Sequence, residues 1–115
     1  MIRNFEDALV WQKAKALAVD VYRLFGSHKD FGFRDQICRA SISISNNIAE
    51  GLDRGSNKEL KNFLYIAKGS CAEVRSMLHI ASELGYISAE PYEHMVAETK
   101  EIAYMLSAFI KKLTL

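Results

Sequence analysis

Basic side chains at helical spacing are the residues of this chain best suited to chemistry. Steps of three and four residues place one row of them, with a single tyrosine, along one side of a helix, and no acid interrupts it. Such a row can follow a phosphate backbone and stack a base, but an ordinary solvated helix face has the same composition. The row consists of Lys58, Lys61, Tyr65, Lys68, Arg75 and His79.

Candidate metal ligands occur at one place. Glu90, His94 and Glu98 follow one another at i, i+4 steps and would share a helix face. Their charged neighbours favour a solvated face, so we expect no metal and no cofactor. None of the three histidines has a carboxylate three residues before it, which excludes the Glu-x-x-His pattern of di-iron bundles.

No nucleophile stands out. Cys38 and Cys71 fall within apolar helical patterns, where a thiol is usually inert packing, and no glycine-rich phosphate loop occurs. The sequence therefore predicts no catalytic residue and no enzyme.

Two pairs of opposite charges are predicted. Glu73 falls in an apolar row, where a carboxylate needs a cationic partner, and we expect Arg39 to pair with it, within the chain or across an interface. Glu50 and Arg54 are spaced i, i+4 and should also pair. Alternatively, these charged residues and the neighbouring Asn46 and Asn47 only specify the fold and bind no ligand.

The elements that position these residues are all helical, since apolar residues recur at helical spacing and never alternate over a strand length. We predict a single domain over residues 1–115, an antiparallel up-down four-helix bundle with helices at about 7–25, 33–53, 57–84 and 89–113. Ser56 and Glu59 match a capping box, and Gly26 and Gly85 supply helix stops, Gly26 in a left-handed conformation. The expected buried stripe of helix 1 is Val10, Ala14, Leu17, Val21 and Leu24, and that of helix 4 is Tyr92, Val96, Thr99, Ala103, Leu106, Ile110 and Leu113.

The helices contain more apolar residues than these stripes account for. A second row follows helix 3 at Phe63, Ile66, Met77, Ile80 and Leu84, and helix 1 adds Trp11, Ala18 and Phe25. A stripe this wide fits inside a compact monomer or faces another copy of the chain. We favour a homo-oligomer whose contact face includes Phe63, Ile66, Met77 and Ile80.

Composition limits the classes of function. The net charge is +1, so any nucleic-acid binding must come from local clustering. The N-terminus has no apolar signal region, and the longest uncharged run, residues 40–49, is too short to span a membrane. We expect a cytoplasmic protein without a membrane partner.

Several blocks of the sequence resemble the 23S rRNA-intervening-sequence protein family. The resemblance covers nearly the whole chain and is specific when the blocks are taken together. The family usually has a proline where this chain has Ser45, so we expect a straighter second helix here. The blocks are residues 4–14, 36–40, 47–51, 63–70 and 84–87.

The resemblance implies a bundle that assembles into a ring-like pentamer. It also implies kinship with the accessory variability protein of diversity-generating retroelements, which is understood to bind nucleic acid and a reverse transcriptase. The combined prediction is a non-enzymatic oligomer that binds RNA or a ribonucleoprotein through the basic row. The alternative is a protein-interaction scaffold that binds no nucleic acid.

Overall fold

Four α-helices make up most of residues 4–114, the part of the chain that the computed structural model describes. Residues 1–3 and 115, which the predicted domain includes, lie outside it. A 3₁₀ turn at Phe5–Asp7 precedes the helices, which are α1 (Leu9–Phe25), α2 (Phe31–Asp53), α3 (Asn57–Glu83) and α4 (Ala89–Thr114).

Each helix packs against two others, in the cyclic order α1, α2, α3, α4, so α1 and α3 lie diagonally opposite each other. Short connections between successive helices make the bundle antiparallel, and it measures 43 × 20 × 20 Å. The predicted all-α four-helix fold is confirmed. Among the described helices, none combines the length and apolarity that crossing a membrane requires.

Side-chain caps explain where two of the helices begin. Ser56 Oγ accepts a hydrogen bond of 3.1 Å from the backbone N–H of Glu59, as the capping box predicts. Asp30 Oδ1 accepts one of 3.1 Å from the N–H of Phe33. Asp30 is thus the N-cap of α2, which begins two residues before the predicted Phe33.

The two predicted glycine stops differ. Gly85 has φ +72°, and the N–H of Tyr86 donates to the carbonyl of Ala81 at 2.8 Å, which closes the end of α3 in a Schellman motif. Gly26 has φ −59° and ψ −24°, so the prediction of a left-handed stop there was wrong. Its N–H still bonds to the carbonyl of Tyr22 at 2.8 Å, as the last turn of a right-handed helix requires.

The core is one continuous apolar cluster drawn from all four helices. In α1, Phe25 and Ala18 are buried within the chain and Leu24 is exposed, which reverses the predicted roles of Phe25 and Leu24. In α4, Thr99, Leu106 and Ile110 are buried as predicted. Met95 and Ile102 are buried in place of their predicted neighbours Val96 and Ala103, which are half-buried. The residues buried on α4 are Met95, Thr99, Ile102, Leu106 and Ile110.

Aromatic and polar contacts join the two loops at one end of the bundle. Tyr86 Oη donates to Asp30 Oδ2 at 2.8 Å, and the rings of Tyr86 and His28 lie 4.2 Å apart. His28 Nδ1 in turn accepts from the N–H of Asp30 at 3.1 Å. The α1–α2 loop is thereby attached to the α3–α4 loop.

Tyr86→Phe removes the hydroxyl of this attachment and should change how stability depends on pH. The hydrogen bond from Tyr86, and then the N–H of Phe33, lowers the pKa of Asp30 from its ordinary 3.8. A carboxyl with a lowered pKa contributes stability above its ordinary pKa and loses it as the pH falls through the lowered value. We therefore expect Tyr86→Phe to be the less stable protein at pH 7 and the difference to narrow below about pH 4. Thermal unfolding of both proteins between pH 7 and pH 3 measures this, and a difference independent of pH would contradict it.

Candidate nucleic-acid interface and neighbouring polar sites

The basic row lies on the solvent side of α3, on the flank nearer to α4. Lys58 and Lys68 are exposed, Lys61 and Arg75 are half-buried, and Tyr65 between them is 52% exposed. Because a helix rises 1.5 Å per residue, the row from Lys58 to Arg75 is about 25 Å long. The structure thus brings these predicted residues together on one surface.

The described carboxylates of the same chain do not neutralise the charges of the row. Within residues 4–114, the four lysine and arginine side chains have no acidic oxygen within 4.0 Å. His79, at the end of the row, shares a hydrogen bond of 2.7 Å between its Nδ1 and Tyr92 Oη on α4. This bond fixes the position of the histidine ring, and the four cations remain available for an anionic ligand.

On the other flank of α3, small residues let the helix approach α2 closely. A Cβ on Gly51 would lie 2.8 Å from Phe63 Cβ and 3.0 Å from Leu60 Cδ1, distances that real Cβ atoms rarely show. Ser43 Oγ and Ser70 Oγ share a hydrogen bond of 2.9 Å across the same contact.

Asn47 continues this polar contact along α2. Its Nδ2 donates to the carbonyl of Ser43 at 2.7 Å and to Ser43 Oγ at 3.0 Å. The amide thereby bonds a backbone carbonyl one turn back and orients the hydroxyl that reaches α3. We interpret Ser43, Asn47 and Ser70 as a fold-specifying polar contact.

Arg39 and Glu73 lie on opposite walls of the α2–α3 groove, but they form no ion pair within the described chain. Glu73 instead accepts a hydrogen bond of 3.3 Å from Gln36 Nε2. The expectation of an apolar environment for Glu73 was wrong, because the facing side of α2 is polar and both charges are solvated. Pairing across an interface between copies stays a prediction.

Glu50 and Arg54 are close at the end of α2. Arg54 Nη2 lies 3.0 Å from Glu50 Oε1, and the Arg54 guanidinium lies 5.2 Å from the centre of the Phe63 ring. Both side chains are about half exposed, so the pair contributes little to stability and chiefly covers Phe63.

The residues predicted to form the apolar contact face on α3 differ in their exposure. Met77 is only 7% exposed, so its placement on an intermolecular face was wrong: its flexible side chain is covered by the chain's own bundle. Phe63 is half-buried. Ile66, Ile80 and Leu84 remain 53%, 49% and 55% exposed. Further exposed apolar side chains lie on the other helices: Leu9, Val19, Tyr22, Leu24, Phe31, Ile42 and Tyr104.

A polar cluster between α1 and α4 was missed by the sequence reasoning. His94 and Glu98 share a face of α4 as predicted, but the third ligand-type side chain is Asp20 of α1 rather than the exposed Glu90. The ligand-type atoms of Asp20, His94 and Glu98 all lie within 4.8 Å of one another. Asp20 carried no signal of its own, since its sequence neighbours are apolar and only the α1–α4 contact brings it there.

Comparison with known proteins identifies the family. Residues 6–108 match the profile of the 23S rRNA-intervening sequence protein family, which is most of the chain. The chain belongs to this family. The solved structure of a protein of unknown function from the S23 ribosomal protein family of Bacteroides thetaiotaomicron is similar, with a TM-score of 0.85 and 30% sequence identity. The match covers 90% of this chain and 99% of that one. No curated protein matches the chain.

α2 continues without a break through Ser45, the position where this chain lacks the proline expected from the family resemblance. Ser45 is buried, and its Oγ donates to the carbonyl of Ile42 at 3.1 Å inside the continuous helix Phe31–Asp53. A proline there would remove a backbone donor from the helix interior.

Neither of the two cysteine thiols has the environment of a nucleophile. Burial raises the pKa of Cys71 to about 11, and its Sγ donates to the carbonyl of Thr99 at 3.1 Å. Burial also raises the pKa of Cys38. A nucleophilic cysteine needs a lowered pKa, so both thiols are packing groups.

Proposed function

We propose that this protein is a non-enzymatic cytoplasmic homo-oligomer that binds RNA or a ribonucleoprotein through the basic row on α3. The observation that carries the proposal is the set of four cations on one exposed helix flank, unpaired within the described chain, with Tyr65 half exposed among them. Phosphates would neutralise the cations, and an unpaired base would stack on the tyrosine ring.

Oligomerisation strengthens this proposal, because one chain carries a net charge of only +1. Repeating the row in each copy lets one RNA contact several rows, which raises affinity without any new contact. The half-exposed side chains of Ile66, Ile80 and Leu84 supply apolar surface for contacts between copies. A pentamer, and kinship with the accessory variability protein of retroelements, remain predictions from the resemblance.

Binding of a short unstructured RNA at increasing salt tests the proposal. Neutralising one phosphate of a single strand contributes a slope of about −0.7 to the plot of log affinity against log salt, so four contacts per copy predict about −3. Light scattering on the same sample gives the number of copies. A protein that binds no RNA at low salt, or binds it independently of salt, would rule out the basic row as the interface.

A protein-interaction scaffold is the second candidate function, favoured by the same exposed isoleucines and leucine of α3. A pull-down from cells distinguishes the two candidates. Recovery of one stoichiometric protein that survives nuclease treatment supports the scaffold, whereas loss of the recovered material on nuclease treatment supports the RNA interface.

A further inference from the structure

We propose that Asp20, His94 and Glu98 form a binding site for a divalent transition-metal ion at the contact between α1 and α4. This site is independent of the basic row. The α1–α4 contact is the smallest of the four contacts between neighbouring helices. A ligand shared by these two helices would therefore add most to the stability of the bundle at this contact.

Geometry is the first support. His94 and Glu98 lie one helical turn apart on α4, and Asp20 approaches them from α1. His94 Nε2 lies 3.2 Å from Glu98 Oε1. With metal–ligand bonds of about 2.1 Å, neighbouring ligand atoms are about 3.0 Å apart in octahedral and about 3.4 Å apart in tetrahedral coordination. The observed separation falls between these values, and all three ligand-type atoms lie within 4.8 Å of one another.

The unsatisfied oxygen of Glu98 is the second support. Oε1 has less than 1 Å² of exposed surface and no hydrogen-bond partner among the described residues, although His94 Nε2 lies 3.2 Å away. A buried carboxylate oxygen without a partner is costly, and a cation would satisfy it.

Electrostatics point the same way. Lys13 does not fill the cluster, since its Nζ pairs with Glu101 at 2.9 Å. Two carboxylates therefore face each other beside one imidazole, and a divalent ion would offset their repulsion.

The ligand set selects the class of metal. One imidazole and two carboxylates suit Zn²⁺, Mn²⁺, Fe²⁺ or Co²⁺, whereas Mg²⁺ and Ca²⁺ prefer oxygen ligands alone. Three protein ligands leave at least one position for water, and the cluster opens onto a surface cleft that can admit it. That cleft is lined by Asp20, Arg23, Leu24, Pro91, His94 and Met95.

Titration of the full-length, tag-free protein with Zn²⁺ by calorimetry tests the proposal, with Co²⁺ as a spectroscopic probe. We expect one Zn²⁺ per chain and visible absorption bands from bound Co²⁺. An ion that binds only the folded state should raise the midpoint of thermal unfolding by about 10 °C at a free concentration a hundredfold above Kd. Asp20→Asn, His94→Gln and Glu98→Gln should each weaken binding by about tenfold or more.

Glu90→Gln is the matched control, because Glu90 lies one turn before His94 on the same helix but outside the cluster. It should bind Zn²⁺ like the wild type. Loss of binding in Glu90→Gln, with retention in Asp20→Asn, would overturn the assignment of Asp20. Absence of Zn²⁺ and Co²⁺ binding by the folded wild type would overturn the site as a whole.

Discussion

Gly51→Ala should destabilise the bundle by about 2 kcal/mol, although alanine is the better helix former by about 1 kcal/mol. The added methyl group would lie 2.8 Å from Phe63 Cβ, an atom fixed to the backbone of α3. It could be accommodated only if α2 and α3 moved apart. That movement would also lengthen the hydrogen bond of 2.9 Å between Ser43 and Ser70.

Gly69→Ala is the matched control, since a Cβ on Gly69 meets nothing within 4 Å. In this variant only the helix propensity changes, and we expect the free energy of unfolding to rise by about 0.5–1 kcal/mol. Chemical denaturation of the three proteins at equal concentration gives both differences in the free energy of unfolding. A stabilised Gly51→Ala variant would show that the close approach of α2 and α3 is not needed.

The double charge reversal Lys61→Glu and Lys68→Glu should weaken RNA binding by about a hundredfold or more at low salt. Two cations of the row are replaced by anions, so two phosphate contacts are lost and repulsion is added. The slope of log affinity against log salt should become less steep by about 1.4. Fluorescence anisotropy with the same short RNA measures both quantities.

Lys15→Glu with Lys29→Glu makes the same change in net charge away from the row. Lys15 is on α1, diagonally across the bundle from α3, and Lys29 is in the α1–α2 loop. This control variant should bind the same RNA with most of the wild-type affinity. Equal losses in the two double variants would mean that RNA responds to total charge and not to the row on α3.

The helices themselves were predictable from sequence because their boundaries have local causes. The Ser56 cap and the Gly85 stop depend on neighbouring residues alone, and both were found where expected. The buried face of α2 also follows the helical spacing of apolar residues in the sequence, since Ile37, Ile44 and Ile48 are all fully buried.

The orientation of the helix faces was less predictable where apolar residues occupy adjacent positions. In α4, Met95 and Val96 are both apolar, as are Ile102 and Ala103, so periodicity alone cannot choose between the two rows. The packing of α4 against both α1 and α3 made the choice. The same ambiguity placed Met77 on the outer face of α3, although the bundle covers it.

Contacts between residues distant in sequence were the hardest to predict from the sequence. Glu73 was assigned an apolar environment from the residues of its own helix, whereas the polar side of α2 that faces it decides its environment. Asp20 meets His94 and Glu98 only through the packing of α1 on α4. Side chains of this kind are positioned by tertiary structure, for which a single sequence carries no local signal.

The hydrogen bond from Tyr86 to Asp30 makes the two ends of the bundle different. The connections α1–α2 and α3–α4 meet at one end, where this bond and the contact between the rings of Tyr86 and His28 join them. The exposed connection Arg54–Ser56 lies at the opposite end. Thermal fraying should therefore start at the end where α2 and α3 connect.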